Sequence, residues 1–198
     1  MTSINEQTAK KAITIVAVVH EDVPSSTSET LYADHFRPLV VELESFTERK
    51  VHVVFSGSAP YTQFDYKGDD SMATLRRWET MGFKLLSEFK KEGLEVDDLT
   101  KVILLTHDPL NDQTAGVALI WPATSTGQFA ISSLGSYRYV GHEIGHLMGA
   151  RHEDSETQYN GWWAETYMVP ERDNIKSVSY TYSDANRQRI KNYLADKA

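Results

Sequence analysis

The chain has 198 residues and an acidic balance, with a formal net charge of -8. Nucleic-acid affinity comes mostly from Lys and Arg that neutralise phosphates, so this charge argues against nucleic acid and anionic membranes as partners. The sequence contains no cysteine, which excludes disulfides and leaves His and carboxylate side chains as the possible ligands of a zinc ion. The length fits one domain, or one domain in two lobes around a cleft.

The first two thirds of the sequence alternate strand and helix patterns, which predicts a sheet with helices packed on it. Residues 13–19 are short and rich in β-branched side chains, as a buried strand is. Two lysines before this run resemble the start of a signal peptide, but polar residues 20–22 follow where a small-residue cleavage site would stand. We therefore interpret the run as a strand and find no convincing export signal. No stretch approaches the roughly 20 apolar residues of a membrane-spanning helix.

Helical spacing first appears at residues 30–48, where Pro38 either kinks the helix or marks its first turn. A second strand is predicted at residues 51–55. The amphipathic helix that follows is predicted to be capped by Ser71 and to end near Gly93. Its inward stripe consists of Leu75, Trp78, Met81, Leu85 and Phe89.

Three further strands are predicted at residues 102–105, 115–121 and 129–132. A helix then covers about residues 137–148, and Gly149 ends it because glycine adopts a positive φ at no steric cost. Beyond residue 152 the sequence is polar and irregular. A terminal helix starts at Ser183 and Asp184 and is predicted to dock on the core through three apolar residues: Ile190, Tyr193 and Leu194.

Residues 142–152 read His-Glu-Ile-Gly-His-Leu-Met-Gly-Ala-Arg-His. His142 and His146 are four apart, so they lie on one face of a helix at a separation that one zinc ion can bridge. His152 cannot share that face, but Gly149 lets the chain turn sharply and return the third imidazole to the metal. Three protein ligands plus water leave one position open, which is the arrangement of catalytic zinc.

Glu143 stands beside the first ligand, where a water-activating base is expected. Zinc lowers the pKa of its water toward roughly 7 and polarises a carbonyl, and Glu143 would move the proton from that water to a leaving amine. An amide is the bond that best fits these groups. The His-Glu-x-x-His pattern alone also fits a solvated helix face, but the complete spacing makes that interpretation far less favourable. The isolated histidines are interpreted as ordinary structural residues: His20, His35, His52 and His107.

The segment resembles the metzincin clan of zinc endopeptidases, whose motif is His-Glu-x-x-His-x-x-Gly-x-x-His followed by a turn that contains methionine. The order of elements also fits, so the resemblance covers nearly the whole chain. It implies one catalytic zinc ion on the three motif histidines, Glu143 as the general base, and cleavage of internal peptide bonds in a polypeptide substrate. Met168 is the only methionine after the motif and is therefore the candidate for the turn.

The sequence does not decide the branch of the clan. Met168 and Pro170 resemble the Met-x-Pro turn of matrixins and adamalysins, whereas Glu153 after the third histidine is closer to the astacins. By the same resemblance, residues 170–179 form the wall of the specificity pocket. The substrate would bind as an added strand along an edge segment, which four residues resemble: Gly116, Val117, Ala118 and Leu119.

Together these observations predict an α/β (α+β) fold. A mixed twisted sheet with packed helices and the active-site helix forms an upper lobe, residues 1–149. A small irregular C-terminal lobe, residues 150–198, carries the methionine turn and ends in a helix, all within one domain, residues 1–198.

Two other functions stay open: a zinc-binding interaction module that does not cleave, and a zinc exopeptidase or amidase. Glu143 argues against the first, because its loss is the simplest way to abolish catalysis while keeping zinc. The lack of a recognisable terminus-binding cluster favours internal cleavage. Extracellular action is common in the clan, and a cytoplasmic location or signal-independent export also fits this sequence. The oligomeric state is not indicated.

Overall fold

A computed structural model describes residues 10–171, 173 and 175–197. The strands of the main sheet are β1 (Ile13–Val19), β2 (Val51–Ser56), β3 (Thr100–Thr106), β4 (Gly116–Ala118) and β5 (Phe129–Ser133). A smaller sheet contains β6 (Thr157–Tyr159), β7 (Trp163–Glu165) and β8 (Ser177–Val178). The α-helices are α1 (Ser25–Leu31), α2 (Arg37–Thr47), α3 (Ser71–Lys91), α4 (Tyr139–Leu147) and α5 (Asp184–Leu194). The predicted α/β fold is confirmed.

The main sheet has the strand order β2-β1-β3-β5-β4. Neighbouring strands are parallel except β4, which pairs antiparallel with β5 and ends the sheet. Ile13, Ile15 and Ala17 of β1 join one core cluster with α2, α4 and α5, whereas Val16 and Val18 join a second cluster with α3. Because side chains alternate across a strand, helices on both faces require the continuous apolar run seen in β1.

The first helix differs from its prediction at residues 30–48. It begins at Ser25 and passes through a π-helical segment, Tyr32–Phe36, directly into α2. Pro38 lies in the first turn of α2, directly after the π-helical segment, so the residue without an N–H falls where the hydrogen-bond pattern changes from π- to α-helical. The polar, exposed residues of α1 hid its start because they carry no apolar periodicity.

Two further boundaries were predicted wrongly. Asp70, not Ser71, is the N-cap of α3, since its side chain accepts from the Ala73 N–H at 2.9 Å. Both residue types are good caps, so the sequence did not separate them. The strand predicted at residues 115–121 is shorter in the structure, where it covers only Gly116–Ala118. Trp121 instead pairs with Thr126 to close a turn.

The C-terminal region is more regular than predicted, since it contains the three-stranded sheet β6-β7-β8. Its strands have only two or three residues each, which is too short for a periodic signal. Ser183 caps α5 as predicted, and Ile190 and Leu194 are buried in the cluster that contains β1. The division into two lobes at residue 149 stays a prediction. None of the described helices is long and apolar enough to cross a membrane.

A buried carboxylate joins α5 to α2. Glu42 is 5% exposed, and it accepts from the Arg187 guanidinium at 2.9 Å through both oxygens. The Tyr182 N–H donates to the same carboxylate at 2.8 Å. A bidentate pair of this kind fixes orientation as well as distance, so the segment before α5 is held against the main core.

Lys101 is a buried lysine in β3, and its hydrogen-bond acceptors among the described residues are neutral groups. Its Nζ donates to the Asp98 carbonyl at 2.8 Å, the Gly127 carbonyl at 2.7 Å and the Tyr193 hydroxyl at 2.7 Å. Burial lowers the pKa of Lys101 to about 7. The three acceptors use all three ammonium protons, so Lys101 joins β3, the loop before β5 and α5.

This placement predicts a pH dependence of stability. The ordinary pKa of Lys101 is 10.5, so from pH 7 to 10.5 the unfolded chain binds more protons than the folded one. The free energy of unfolding therefore rises with pH across that window. We expect this rise between about pH 7.5 and pH 9 in urea unfolding, below the range in which tyrosines titrate. In Lys101→Met the rise should be smaller; an equal slope in both proteins would contradict the assignment.

Candidate active site

Helix α4 carries the first two predicted ligands and packs against β5 and β4. Val140, Ile144 and Leu147 are fully buried at helical spacing, which leaves His142 and His146 on a less buried face of the helix. The helix ends where Gly149 adopts a φ of 91°. The Ala150 N–H then donates to the carbonyl of Gly145 at 3.0 Å, so the chain reverses and returns toward the helix.

This reversal brings the three predicted metal ligands together. The Nε2 atoms of His142 and His146 are 3.1 Å apart, those of His146 and His152 are 3.0 Å apart, and those of His142 and His152 are 2.9 Å apart. The three nitrogens thus form a nearly equilateral triangle. Within the described residues, these three histidines form the group of possible ligand side chains that lie close enough together to hold one metal ion.

Backbone carbonyls set the protonation of two of these rings. His142 Nδ1 lies 2.7 Å from the Tyr167 carbonyl, and His146 Nδ1 lies 3.0 Å from the Ala150 carbonyl. A carbonyl only accepts, so each Nδ1 donates and each Nε2 keeps its lone pair. Burial lowers the pKa of His142 to about 3 and that of His146 to about 4. Burial also lowers the pKa of His152, so all three imidazoles are neutral near pH 7.

The donor set fits a zinc ion. Lone pairs of neutral imidazoles that face one another at about 3 Å repel unless a cation lies between them. Imidazole nitrogens suit zinc and related transition metals, and three of them leave one position open for a catalytic ion. The hydrogen bonds from Nδ1 supply the outer contacts that fix ring orientation in metal sites. The residues that would hold the ion are His142, His146 and His152.

Glu143 lies between α4 and the edge strand. Its side chain is 5% exposed, and burial raises its pKa to about 8. A Cβ atom added to Gly116, the first residue of β4, would lie 2.5 Å from Glu143 Oε1. The carboxylate therefore rests against the backbone of β4, and a side chain at position 116 would displace it from this position.

The four predicted substrate-binding residues have different environments. Gly116, Val117 and Ala118 form β4 and are partly buried. Leu119 lies one residue beyond the strand, with its N–H donated to the Phe129 carbonyl at 2.9 Å and its side chain 1% exposed in the core. The side chain of Leu119 thus packs inward, away from the solvent-facing edge of the sheet.

Met168 lies in a tight turn beneath α4. Tyr167 and Met168 occupy the turn, which the Val169 N–H closes onto the Thr166 carbonyl at 3.3 Å. Met168 is fully buried, and a Cβ added to Gly145 would lie 2.7 Å from its Sδ atom. The thioether therefore packs against the helix one residue before His146. Pro170 follows at the exposed end of the turn.

Several groups that shape the site were not identified from the sequence. The carbonyls of Tyr167 and Ala150, which orient two ligand rings, are backbone atoms and leave no sequence signal. Tyr182 is fully buried, and its hydroxyl donates to the Gly141 carbonyl at 2.6 Å. Gly145, the residue before His146, could have indicated close packing at this point, because a glycine there allows Met168 and Tyr182 to approach α4.

The fold is similar to those of several solved structures at low sequence identity. Metalloproteinase-II from Bacteroides fragilis has a TM-score of 0.61 and 18% identity, over 94% of this chain and 54% of that one. Archaemetzincin from Methanopyrus kandleri has a TM-score of 0.50 and 13% identity, over 93% of this chain and 96% of that one. A chain in a chaperone–substrate complex has a TM-score of 0.51 and 14% identity, over 96% of this chain and 35% of that one.

This chain therefore spans about half the length of the Bacteroides protein. No protein-family model matches the sequence, and no curated protein matches it either. What the fold and the site define together is an α/β fold similar to those of a Bacteroides metalloproteinase and an archaemetzincin, with three histidines positioned to bind a metal ion.

The contact beneath α4 predicts the effect of a single methyl group. An exposed helical glycine gains about 1 kcal/mol of stability on mutation to alanine. In Gly145→Ala the methyl would meet Met168 and Tyr182, and such overpacking costs about 1–3 kcal/mol. We expect a lower free energy of unfolding and weaker zinc binding, measured by urea titration and calorimetry.

Gly57→Ala is the matched control, since an added Cβ there has no described atom within 4 Å. We expect its stability to stay within about 0.5 kcal/mol of the parent protein. A Gly145→Ala protein as stable as this control, with unchanged zinc affinity, would contradict the packing described.

Proposed function

We propose that this chain is a zinc-dependent endopeptidase of the metzincin type. One observation carries the proposal: three neutral imidazole nitrogens converge within 3.1 Å, and the neighbouring Glu143 carboxylate faces the edge strand of the sheet. The similarity to two metalloproteinase structures, one of them named archaemetzincin, supports it. Met168 and Pro170 would form the methionine turn, with Met168 supporting the ligand helix from below.

Glu143 acts as the general base. When bound, zinc supplies a Lewis acid that polarises the substrate carbonyl and lowers the pKa of water. Glu143 accepts a proton from the attacking water and then delivers it to the leaving amine. Its buried position gives the carboxylate a higher proton affinity than it has in water, which suits a group that must take up and release one proton in each turnover.

Strand β4 binds the substrate. It is the terminal strand of the sheet order, and an edge strand offers main-chain N–H and C=O groups to an extended peptide. Gly116, Val117 and Ala118 supply these groups next to Glu143. An added strand is held along its length and not at a terminus, which supports cleavage of internal peptide bonds.

The Glu143→Gln variant tests the base directly. The amide keeps the shape of the side chain but cannot accept the proton, and general-base catalysis contributes about 10²- to 10⁴-fold. We expect zinc content and fold to be unchanged and turnover of a quenched peptide library to fall by about 10³-fold or more. His146→Ala should lose zinc and activity together, since it removes a ligand.

Glu92→Gln, an exposed glutamate after α3, is the control for the same chemical change and should retain full activity. Zinc is measured by elemental analysis on every variant. Equal turnover by the parent protein and Glu143→Gln would refute the mechanism. Zinc-loaded parent protein that cleaves no member of a broad peptide library would favour a non-catalytic zinc-binding module.

A further inference from the structure

A group of large apolar side chains is exposed on the small sheet. Tyr159, Trp162, Trp163 and Ile175, which we call the aromatic patch, are 66%, 61%, 52% and 76% exposed. Contacts join them in two pairs: the rings of Tyr159 and Trp163 lie 5.0 Å apart, and Trp162 Nε1 donates to the Ile175 carbonyl at 3.2 Å. Single exposed apolar residues are ordinary, but several large exposed apolar side chains on one small sheet are typical of a binding surface.

The hairpin of β6 and β7, which carries Tyr159, Trp162 and Trp163, is joined at both of its ends to residues of the candidate active site. Strand β6 starts five residues after His152, and β7 ends two residues before Tyr167, whose carbonyl orients His142. At a rise of about 3.3 Å per residue, Trp163 lies about 13 Å along the chain from Tyr167. The patch and the residue that orients His142 are therefore at most about 13 Å apart at Trp163 and Tyr167.

A buried ion pair fixes this hairpin on the active-site helix. Glu165, the last residue of β7, accepts from Arg138 Nη1 at 3.1 Å, and both side chains are at most 2% exposed. Arg138 is the residue immediately before α4. Glu165 also accepts from the Asp173 N–H at 3.1 Å, which ties the segment that carries Ile175 to the same anchor. The patch is thus held in place before any partner binds, which lowers the entropy cost of binding.

The charges around the patch indicate the kind of partner. Residues 153–176, which span the patch, contain six acidic residues and two basic ones. The acidic residues are Glu153, Asp154, Glu156, Glu165, Glu171 and Asp173, and the basic ones are Arg172 and Lys176. Lys176 Nζ lies 3.3 Å from the Asp173 carboxylate. Glu153, Glu156 and Glu171 are exposed, whereas Glu165 is buried and Asp154 pairs with Arg189. A negative rim attracts cationic partners and repels anionic lipid surfaces. Exposed Trp rings add favourable sites for Lys and Arg.

We propose that the aromatic patch is a second docking surface for the polypeptide substrate, occupied by an extended segment with apolar and basic side chains. This inference rests on the proposed function, because it assigns a substrate class to the same site. Trp and Tyr provide large rigid contact areas and are frequent anchors in protein interfaces. Substrates with such a segment a few residues from the cleaved bond bind more tightly than substrates without it.

Binding is tested first without turnover, on the zinc-loaded Glu143→Gln protein. Three kinds of peptide contain the same core sequence. The first is the core alone. The second carries about ten added Leu and Arg residues at one end or the other, and the third carries an extension of equal length made of Ser and Glu. Ten residues span up to about 33 Å, enough to reach the patch. We expect the Leu/Arg extension to lower the dissociation constant about 10-fold or more, and Trp162→Ala with Trp163→Ala to remove this gain. Val41→Ala, which removes another exposed apolar side chain, should keep it.

Turnover by the protein with native Glu143 gives the second measurement. The gain from the Leu/Arg extension should appear mainly in KM, and the double Trp variant should cleave the short core peptide as well as the parent protein does. Equal gain from both extensions, or full gain in the double variant, would overturn the proposal. The proposal would also be overturned if the double variant lost binding to neutral or anionic vesicles but still bound the peptides as the parent protein does. Peptide docking without any cleavage would refute the proposed function but leave this surface supported.

Discussion

The hydrogen bond from His142 Nδ1 to the Tyr167 carbonyl joins the two parts of the candidate site, and the remaining geometry depends on it. The 2.7 Å contact links residues 25 positions apart. It aims Nε2 of His142 at the other two ligands and fixes the turn at Met168 beneath the helix. Since a buried carbonyl needs a donor, the contact also satisfies a backbone group that would otherwise cost stability.

One fully buried ion pair, and a second pair in which only the carboxylate is buried, keep these parts in register. Arg138 and Glu165 connect the start of α4 to β7, and Glu42 holds both Arg187 and the Tyr182 backbone. Such pairs add little net stability, but removing one partner leaves a buried charge and is strongly destabilising. They therefore act as positional constraints: the first holds β7 against the start of α4, and the second holds Tyr182 and α5 against α2.

Two separate parts of the fold reach the candidate metal site: the edge strand of the main sheet and the hairpin of the small sheet. Strand β4 contacts Glu143 through Gly116, and the hairpin of β6 and β7 leaves from His152 and returns at Tyr167. Under the proposed function, main-chain pairing at β4 would give little sequence preference, and the aromatic patch would add a chemical preference at a distance from the cleaved bond.

The sequence by itself determined those features that depend on the spacing of residues along the chain. Apolar runs predicted β1 and β3, the four-residue spacing placed two histidines on one helical face, and Gly149 predicted the reversal that returns His152. Only the tertiary structure decided the strand order, the choice of Asp70 as a cap, the π-helical segment before Pro38, and the carbonyls that orient the ligand rings. These features depend on contacts between residues far apart in the chain, or on backbone atoms common to every residue type, and neither leaves a local pattern in the sequence.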